Sequence, residues 1–343
     1  MMQERLTRSW YDEEAGAAPL LRAFSWIYGV AVQLRSKAYA ARWLSSERVG
    51  RPVVVVGNLT VGGTGKTPLV VWLAQRLTHL GLRVGIVSRG YGRSFDEPHL
   101  VEPDSSWREV GDEPLLLRRR SGCITMVGRE RVAAAKALVA HGVDVIIADD
   151  GLQHLHLARD CEIVVVDGSR GFGNGRLLPA GPLREPASRL LRADITVVNG
   201  RSEHRSLQQT LAARVLTMGM IADKACRVDS GAPERPLESF AGQRVHAVAG
   251  IGNPSRFFRD LRERGIDVLE HPFADHYPFA AQDVEFGDPL PVLMTEKDAV
   301  KCREFANRRL WYVPIGAQFA ETQERELLQH LLRKTGLAAI ARG

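Results

Sequence analysis

Cysteine is scarce in this 343-residue sequence: Cys123, Cys161, Cys226 and Cys302 are all there is. No two lie close enough in sequence for a metal knuckle or a redox pair, so reduced, mostly buried thiols of a cytosolic protein are expected. A secretory leader is not expected either, because Met1-Met-Gln-Glu-Arg5 and the acids Asp12, Glu13 and Glu14 precede the first apolar run. No Lys/Arg block interleaved with aromatics occurs. The formal charge of +6 therefore suits an anionic membrane surface or a phosphorylated substrate better than nucleic acid, the weakest of the three partners. Internal repeats, heptads and low-complexity tracts are missing. What remains is an ordinary globular composition, 45% hydrophobic and 25% charged. The length allows two domains or one large α/β domain with additions.

One further absence is local: residues 16–46 hold no acidic side chain. Pro19 suits a helix start. The stretch from Ala23 to Leu34 is mostly apolar, with Phe24, Trp26, Ile27, Tyr28, Val30 and Val32, flanked by Arg22 before it and Arg35, Lys37 and Arg42 after it. It falls short of the roughly 20 residues a bilayer crossing needs. Aromatics beside cations predict a helix lying in or dipping into the membrane interface, with a helix packed on the protein's own core as the alternative.

The chain is organised around Val53-Val-Val-Val-Gly-Asn-Leu-Thr-Val-Gly-Gly-Thr-Gly-Lys-Thr-Pro68. The valine run reads as a buried parallel strand, and Leu69, Val70, Trp72, Leu73 and Leu77 read as a helix after it. Strand, glycine loop, Lys-Thr and helix in that order predict a phosphate-binding loop. Gly62, Gly63, Thr64 and Gly65 turn backbone N–H groups toward phosphate, Lys66 bridges the β and γ phosphates, and the Thr67 hydroxyl holds Mg²⁺. Thr60 stands where the general pattern has its first glycine. The remaining Gly-Gly-Thr-Gly-Lys-Thr is nearer to the variant loops of dimeric ATPases and related kinases.

Further apolar runs predict strands at Leu82–Ser88, Val143–Asp149, Cys161–Asp167 and Ala193–Asn199, separated by helical patterns. The expected fold is therefore an α/β, mainly parallel sheet. The second strand leads into Arg89-Gly-Tyr-Gly-Arg93, where Arg89 and Arg93 would face a ligand crevice. Asp112 and Glu113 open a helical run, a place that also suits plain caps. Asp149 and Asp150 end a buried strand, as Mg²⁺ coordination beside a phosphate loop requires, without showing which of them takes the metal. The Gly/Pro-rich segment from Gly168 to Pro186 is a candidate lid or substrate loop with Arg184 and Glu185 at its charged end. The more polar stretch 203–240 suggests a boundary to a second α/β unit. That unit holds a strand and plain glycine turn in Arg244–Asn253, a histidine-bearing segment His271–Phe279, Thr295-Glu-Lys-Asp298 after a strand, a strand at 310–314 and a last helix at 322–332. The expected division is a membrane-associated helix in 1–48, a phosphate-loop core in 49–225 and a smaller C-terminal subdomain in 226–343.

In order, Val56-Gly-Asn-Leu-Thr-Val-Gly-Gly-Thr-Gly-Lys-Thr-Pro68, Ser88-Arg-Gly-Tyr-Gly92, Gly111-Asp-Glu-Pro114, Asp149-Asp-Gly-Leu-Gln-His154, Leu178-Pro-Ala-Gly-Pro-Leu-Arg-Glu185, Phe273-Ala-Asp-His276 and Thr295-Glu-Lys-Asp298 resemble the tetraacyldisaccharide 4′-kinases of lipid A biosynthesis. The resemblance covers nearly the whole chain, and Thr60 looks normal within it. It implies a P-loop NTPase-type fold with helices on both faces of the sheet, a C-terminal subdomain that closes over ATP, and Mg²⁺. The implied reaction moves the γ-phosphoryl of ATP onto the 4′-hydroxyl of a membrane-embedded tetraacylated glucosamine disaccharide 1-phosphate. It implies Asp112 as base, supported by His276 with His271 as the weaker match, and Lys66 on the phosphates. Thr60, Gly62, Gly63, Thr64, Gly65 and Thr67 would surround the nucleotide, and Thr67, Asp149 and Asp150 the metal. Asn58, Arg89, Arg93, Arg184 and Glu185 are substrate candidates. An acceptor that stays in the bilayer and a cytosolic ATP pool place the expected enzyme on the cytoplasmic face of the bacterial inner membrane. The rival expectation is a variant-loop ATPase that couples hydrolysis to a shape change. Such loops often carry an early lysine, where this chain has Val61.

Overall fold

A computed structural model describes residues 9–11, 18–90, 97–202, 207, 215–229 and 234–338. Among the described residues the helices of seven residues or more are α1 (Pro19–Ala40), α2 (Lys66–His79), α3 (Asp112–Ser121), α4 (Arg131–Ala140), α5 (Pro254–Arg262), α6 (Glu296–Cys302) and α7 (Glu321–Thr335). The first strands are β1 (Val53–Gly57), β2 (Val84–Ser88), β3 (His99–Val101), β4 (Ile124–Val127), β5 (Val145–Asp149), β6 (Cys161–Asp167), β7 (Ile195–Asn199) and β8 (Val215–Ile221). They are followed by β9 (Lys224–Arg227), β10 (Arg235–Pro236), β11 (Arg244–Ala249), β12 (Asp267–Pro272), β13 (Val292–Thr295), β14 (Leu310–Val313) and β15 (Gly316–Gln318).

β1 is the middle of a nine-stranded sheet in the order β15-β8-β7-β6-β1-β5-β2-β4-β3. It runs parallel to both neighbours, β5 and β6. Only the edge pairs β3–β4 and β8–β15 are antiparallel. The pleat sends Val54 and Val56 to one face, where they meet Leu69, Leu73 and Leu77 of α2. Val53 and Val55 point to the other face and meet Ala134, Ala135 and Leu138 of α4. A run buried on both faces has no polar side to alternate with, which is why the sequence reads as unbroken valine.

A second sheet of six strands, β10-β9-β14-β13-β11-β12, holds its own core of Phe240, Phe258, Leu261 and Leu293. It ends before the expected subdomain does. β15 leaves it to pair with β8, and α7 packs Leu327 and Leu331 into the first sheet's core beside β1 and β6. Of the expected unit 226–343, residues 316–337 therefore belong to the first sheet. The physical reason is the apolar stripe of α7, which finds the uncovered face of β6 and β8. β8 itself lies in the stretch that reads as a polar boundary, and its alternate residues Leu216 and Met218 are buried.

Among the described residues no helix is long and apolar enough to cross a membrane. α1 docks by a small-residue edge: Ser25 and Gly29 are its buried positions, and Ser25 Oγ donates to the Leu177 carbonyl at 2.8 Å. The other side carries Leu20, Phe24, Trp26, Ile27, Val30 and Leu34, all exposed, with Trp43 and Leu44 just beyond. All four cysteines are free and buried.

Candidate active site

The site is built at the C-terminal ends of β1, β5 and β2. Gly65 caps α2 with φ +94° and Gly62 has φ +96°, conformations that require glycine. A Cβ on Gly65 would also lie 2.7 Å from Asn199 Nδ2, a group that donates to the Thr64 carbonyl at 3.0 Å. Asn58, fully buried, donates to the Thr60 carbonyl at 2.7 Å and accepts from Lys66 Nζ at 3.0 Å. It thus holds the loop closed and the ammonium in place. Thr60 is buried and forms an antiparallel bridge with Leu183 of the Gly/Pro-rich segment. An extended, paired position has no need of a glycine, so the departure at Thr60 has a local cause.

The two acids after β5 differ. Asp150, with φ +47°, lies 3.4 Å from Lys66 Nζ and accepts from Arg184 Nη1 at 3.0 Å. Burial works to raise its pKa, but Lys66 and Arg184 outweigh it and hold the carboxyl at about 2. Asp149 accepts from Ser88 Oγ at 3.1 Å, and its buried Oδ1 has no hydrogen-bond partner. Burial first, then the charges of Glu113 and Asp150, push Asp149 up to about 7. An orphaned buried carboxylate oxygen beside a phosphate loop fits a metal-facing ligand.

Asp112 opens α3 and is buried. His276, on a turn where its φ is +60°, brings Nδ1 to 3.0 Å from Asp112 Oδ2 and 3.1 Å from Oδ1. Burial opposes the ionised Asp112, yet His276, Lys297 and Lys301 together hold its pKa below the ordinary value. Burial likewise pulls His276 down, while its contact with Asp112 raises it overall. His271, the weaker histidine, faces His246 at 2.8 Å instead and is not part of this pair. Two signals escaped the sequence reading. Lys297 donates to Glu113 and Asp275, each at 3.0 Å, although its motif was visible. The glycine turn after β11, which reads as plain, lines a cavity beside the phosphate loop through Ile251, Gly252 and Asn253.

That cavity, of about 270 Å³, has the phosphate loop (Gly63, Gly65, Thr67) on one side and Glu113 and Lys297 on the other. Glu185 is buried, accepting from Gln153 Nε2 at 2.8 Å. Arg89 is exposed at the end of β2. Beyond burial, its charge and that of Arg131 depress His154 to about 4. Arg93 lies outside the described residues.

Fold and loop together define an α/β protein of the P-loop class. The family model for tetraacyldisaccharide-1-P 4′-kinase, LpxK, matches residues 17–334, and the chain belongs to this family. The tetraacyldisaccharide 4′-kinase of Alkalilimnicola ehrlichii is 49% identical over 318 residues, covering 92% of this chain and 93% of that one. That of Stenotrophomonas maltophilia is 49% identical over 314 residues, covering 90% and 91%. The crystal structure of an "apo" form LpxK from Aquifex aeolicus in complex with ATP matches with a TM-score of 0.76 at 30% identity, covering 91% of this chain and 98% of that one.

Proposed function

We propose that this chain transfers the γ-phosphoryl of ATP to the 4′-hydroxyl of a tetraacylated glucosamine disaccharide 1-phosphate. The observation that carries the reading is the shared cavity: the phosphate loop and the residue next to the Asp112–His276 pair face each other across it. Asp112 accepts the proton of the 4′-hydroxyl as the new O–P bond forms. The bond between the γ phosphorus and its bridging oxygen breaks, and ADP leaves. Lys66, held by Asn58, meets the phosphates where charge develops. Thr67 and Asp149 would hold Mg²⁺, which when bound neutralises phosphate charge. Asp150, paired with Lys66 and Arg184, orients those cations. With Arg184 so engaged, Arg89 is, among the described residues, the candidate cation for the lipid's 1-phosphate.

The apolar outer side of α1, flanked by Arg22, Arg35 and Lys37, supports a peripheral attachment to an anionic membrane surface, on the cytoplasmic face where ATP is available. The deciding assay supplies radiolabelled ATP with and without the disaccharide lipid in detergent. Label is expected in the lipid. Phosphate release with no lipid labelling would favour a shape-changing ATPase instead. Lys66→Ala and Asp112→Asn should each abolish transfer, and Asp112→Asn should leave ATP affinity within about threefold of the original, by equilibrium binding. Retention of more than a few per cent of activity in Asp112→Asn would remove the base from this residue.

A further inference from the structure

Lys297 has no part in the reaction as written above, yet it is the most heavily engaged side chain beside the Asp112–His276 pair. It sits in the first turn of α6. Its ammonium lies 3.0 Å from Glu113 Oε1, 3.0 Å from Asp275 Oδ1 and 3.2 Å from His276 Nε2. Burial works against this ammonium, but Glu113, Asp112 and Asp275 outweigh it and keep the group charged. An ammonium only donates hydrogen bonds. The imidazole nitrogen against it must therefore accept, and a neutral His276 then carries its proton on Nδ1, the nitrogen facing both Asp112 oxygens.

We propose that Lys297 is a positioning residue for the base: it fixes His276 as the Nδ1–H tautomer and resists its conversion to imidazolium. The inference rests on Asp112 being the base. The charged groups around the ring pull in opposite directions. Asp112 from α3 and Asp275 from the adjoining turn attract a second proton, and Lys297 from α6 repels it. Lys301, fully buried and 3.8 Å from Asp112 Oδ2, acts on the ring only through Asp112. Glu113 holds Lys297 from the α3 side. Without Lys297 the pull of the two carboxylates on the ring loses its opposing charge, leaving burial to resist it. The imidazolium they favour would stabilise ionised Asp112 and weaken it as a proton acceptor.

The test follows the histidine imidazoles of the full chain by ¹⁵N NMR across pH, alongside steady-state kinetics. In the unaltered protein, neutral His276 should be protonated on Nδ1. In Lys297→Met its pKa should rise by about one unit or more, its neutral form should become a mixture of tautomers, and kcat should fall about tenfold or more. The acid limb of the kcat profile should move upward by the same interval while KM for ATP changes less than about twofold. Lys297→Arg, which keeps a cationic donor, should recover most of the activity. Asp275→Asn should move the His276 pKa in the opposite direction and reports even if Lys297→Met fails to fold. An unchanged tautomer and pKa in Lys297→Met would overturn the proposal, as would a loss confined to KM for ATP, which would make Lys297 a nucleotide contact. Activity surviving in Asp112→Asn would remove the base assignment while leaving the NMR result standing, so the two failures are distinct.

Discussion

At the scale of single residues, the Asp112–His276 contact ties stability to pH. The folded pKa of His276 is raised, so its contribution is complete below the ordinary histidine value of about 6.5 and is lost as pH climbs through the raised value. The folded pKa of Asp112 is lowered, so its contribution is complete above the ordinary carboxylate value of about 4 and is lost as pH falls through the lowered one. The window of full stabilisation lies between. The melting temperature lost in His276→Gln should be largest near pH 5 to 6 and shrink by about pH 9; an equal loss at both ends would refute the coupling. Much at this scale was legible in the sequence. Gly65 and Lys66 sit in a local pattern whose chemistry follows from spacing, whereas the role expected of Asp112 came from the family resemblance, its position suiting a plain cap equally well. Lys297 was not legible as a partner of Glu113, because the two are brought together from α3 and α6, far apart in the chain. Thr60 looked like a departure because its reason, the bridge to Leu183, lies in another segment.

At the scale of elements, the loop between β1 and α2 depends on a left-handed backbone. Gly65→Ala would place an L side chain at φ +94° against Asn199, at a backbone cost of roughly 1–2 kcal/mol. ATP affinity should fall about tenfold or more, measurable by calorimetry, with the fold retained by circular dichroism. α1 makes a separate prediction. Trp26→Asp with Ile27→Asp, both on its exposed side, should strongly reduce co-sedimentation with anionic vesicles and leave the melting temperature nearly unchanged. Undiminished vesicle binding would place the anchor elsewhere. The sequence revealed α1's composition but not which edge docks. The docked edge meets Leu177, whose carbonyl takes Ser25 and whose Cδ1 lies 2.9 Å from where a Cβ on Gly29 would stand.

At the scale of the whole molecule, the two sheets are not successive in the chain. Strand existence was readable for β1, β2, β5, β6, β7, β11, β13 and β14, whose apolar runs are self-evident. Strand order was not, since β15 and α7 join the first sheet across the entire second one. Leu331→Ala, near the C-terminal end of α7, should therefore destabilise the P-loop core by about 2–5 kcal/mol in urea unfolding. A change below about 0.5 kcal/mol would mean that α7 is not part of that core.

The return of β15 and α7 also bears on how the chain is made. Domains generally fold as units while the chain emerges from the ribosome. Here β1 and the phosphate loop emerge early, yet the face of β6 and β8 is not covered until residues 316–337 follow, after the whole second sheet. Throughout that interval an apolar surface of the first sheet stands open to chaperones and to other nascent chains. A stalled or prematurely terminated product would carry the nucleotide loop on an unfinished sheet.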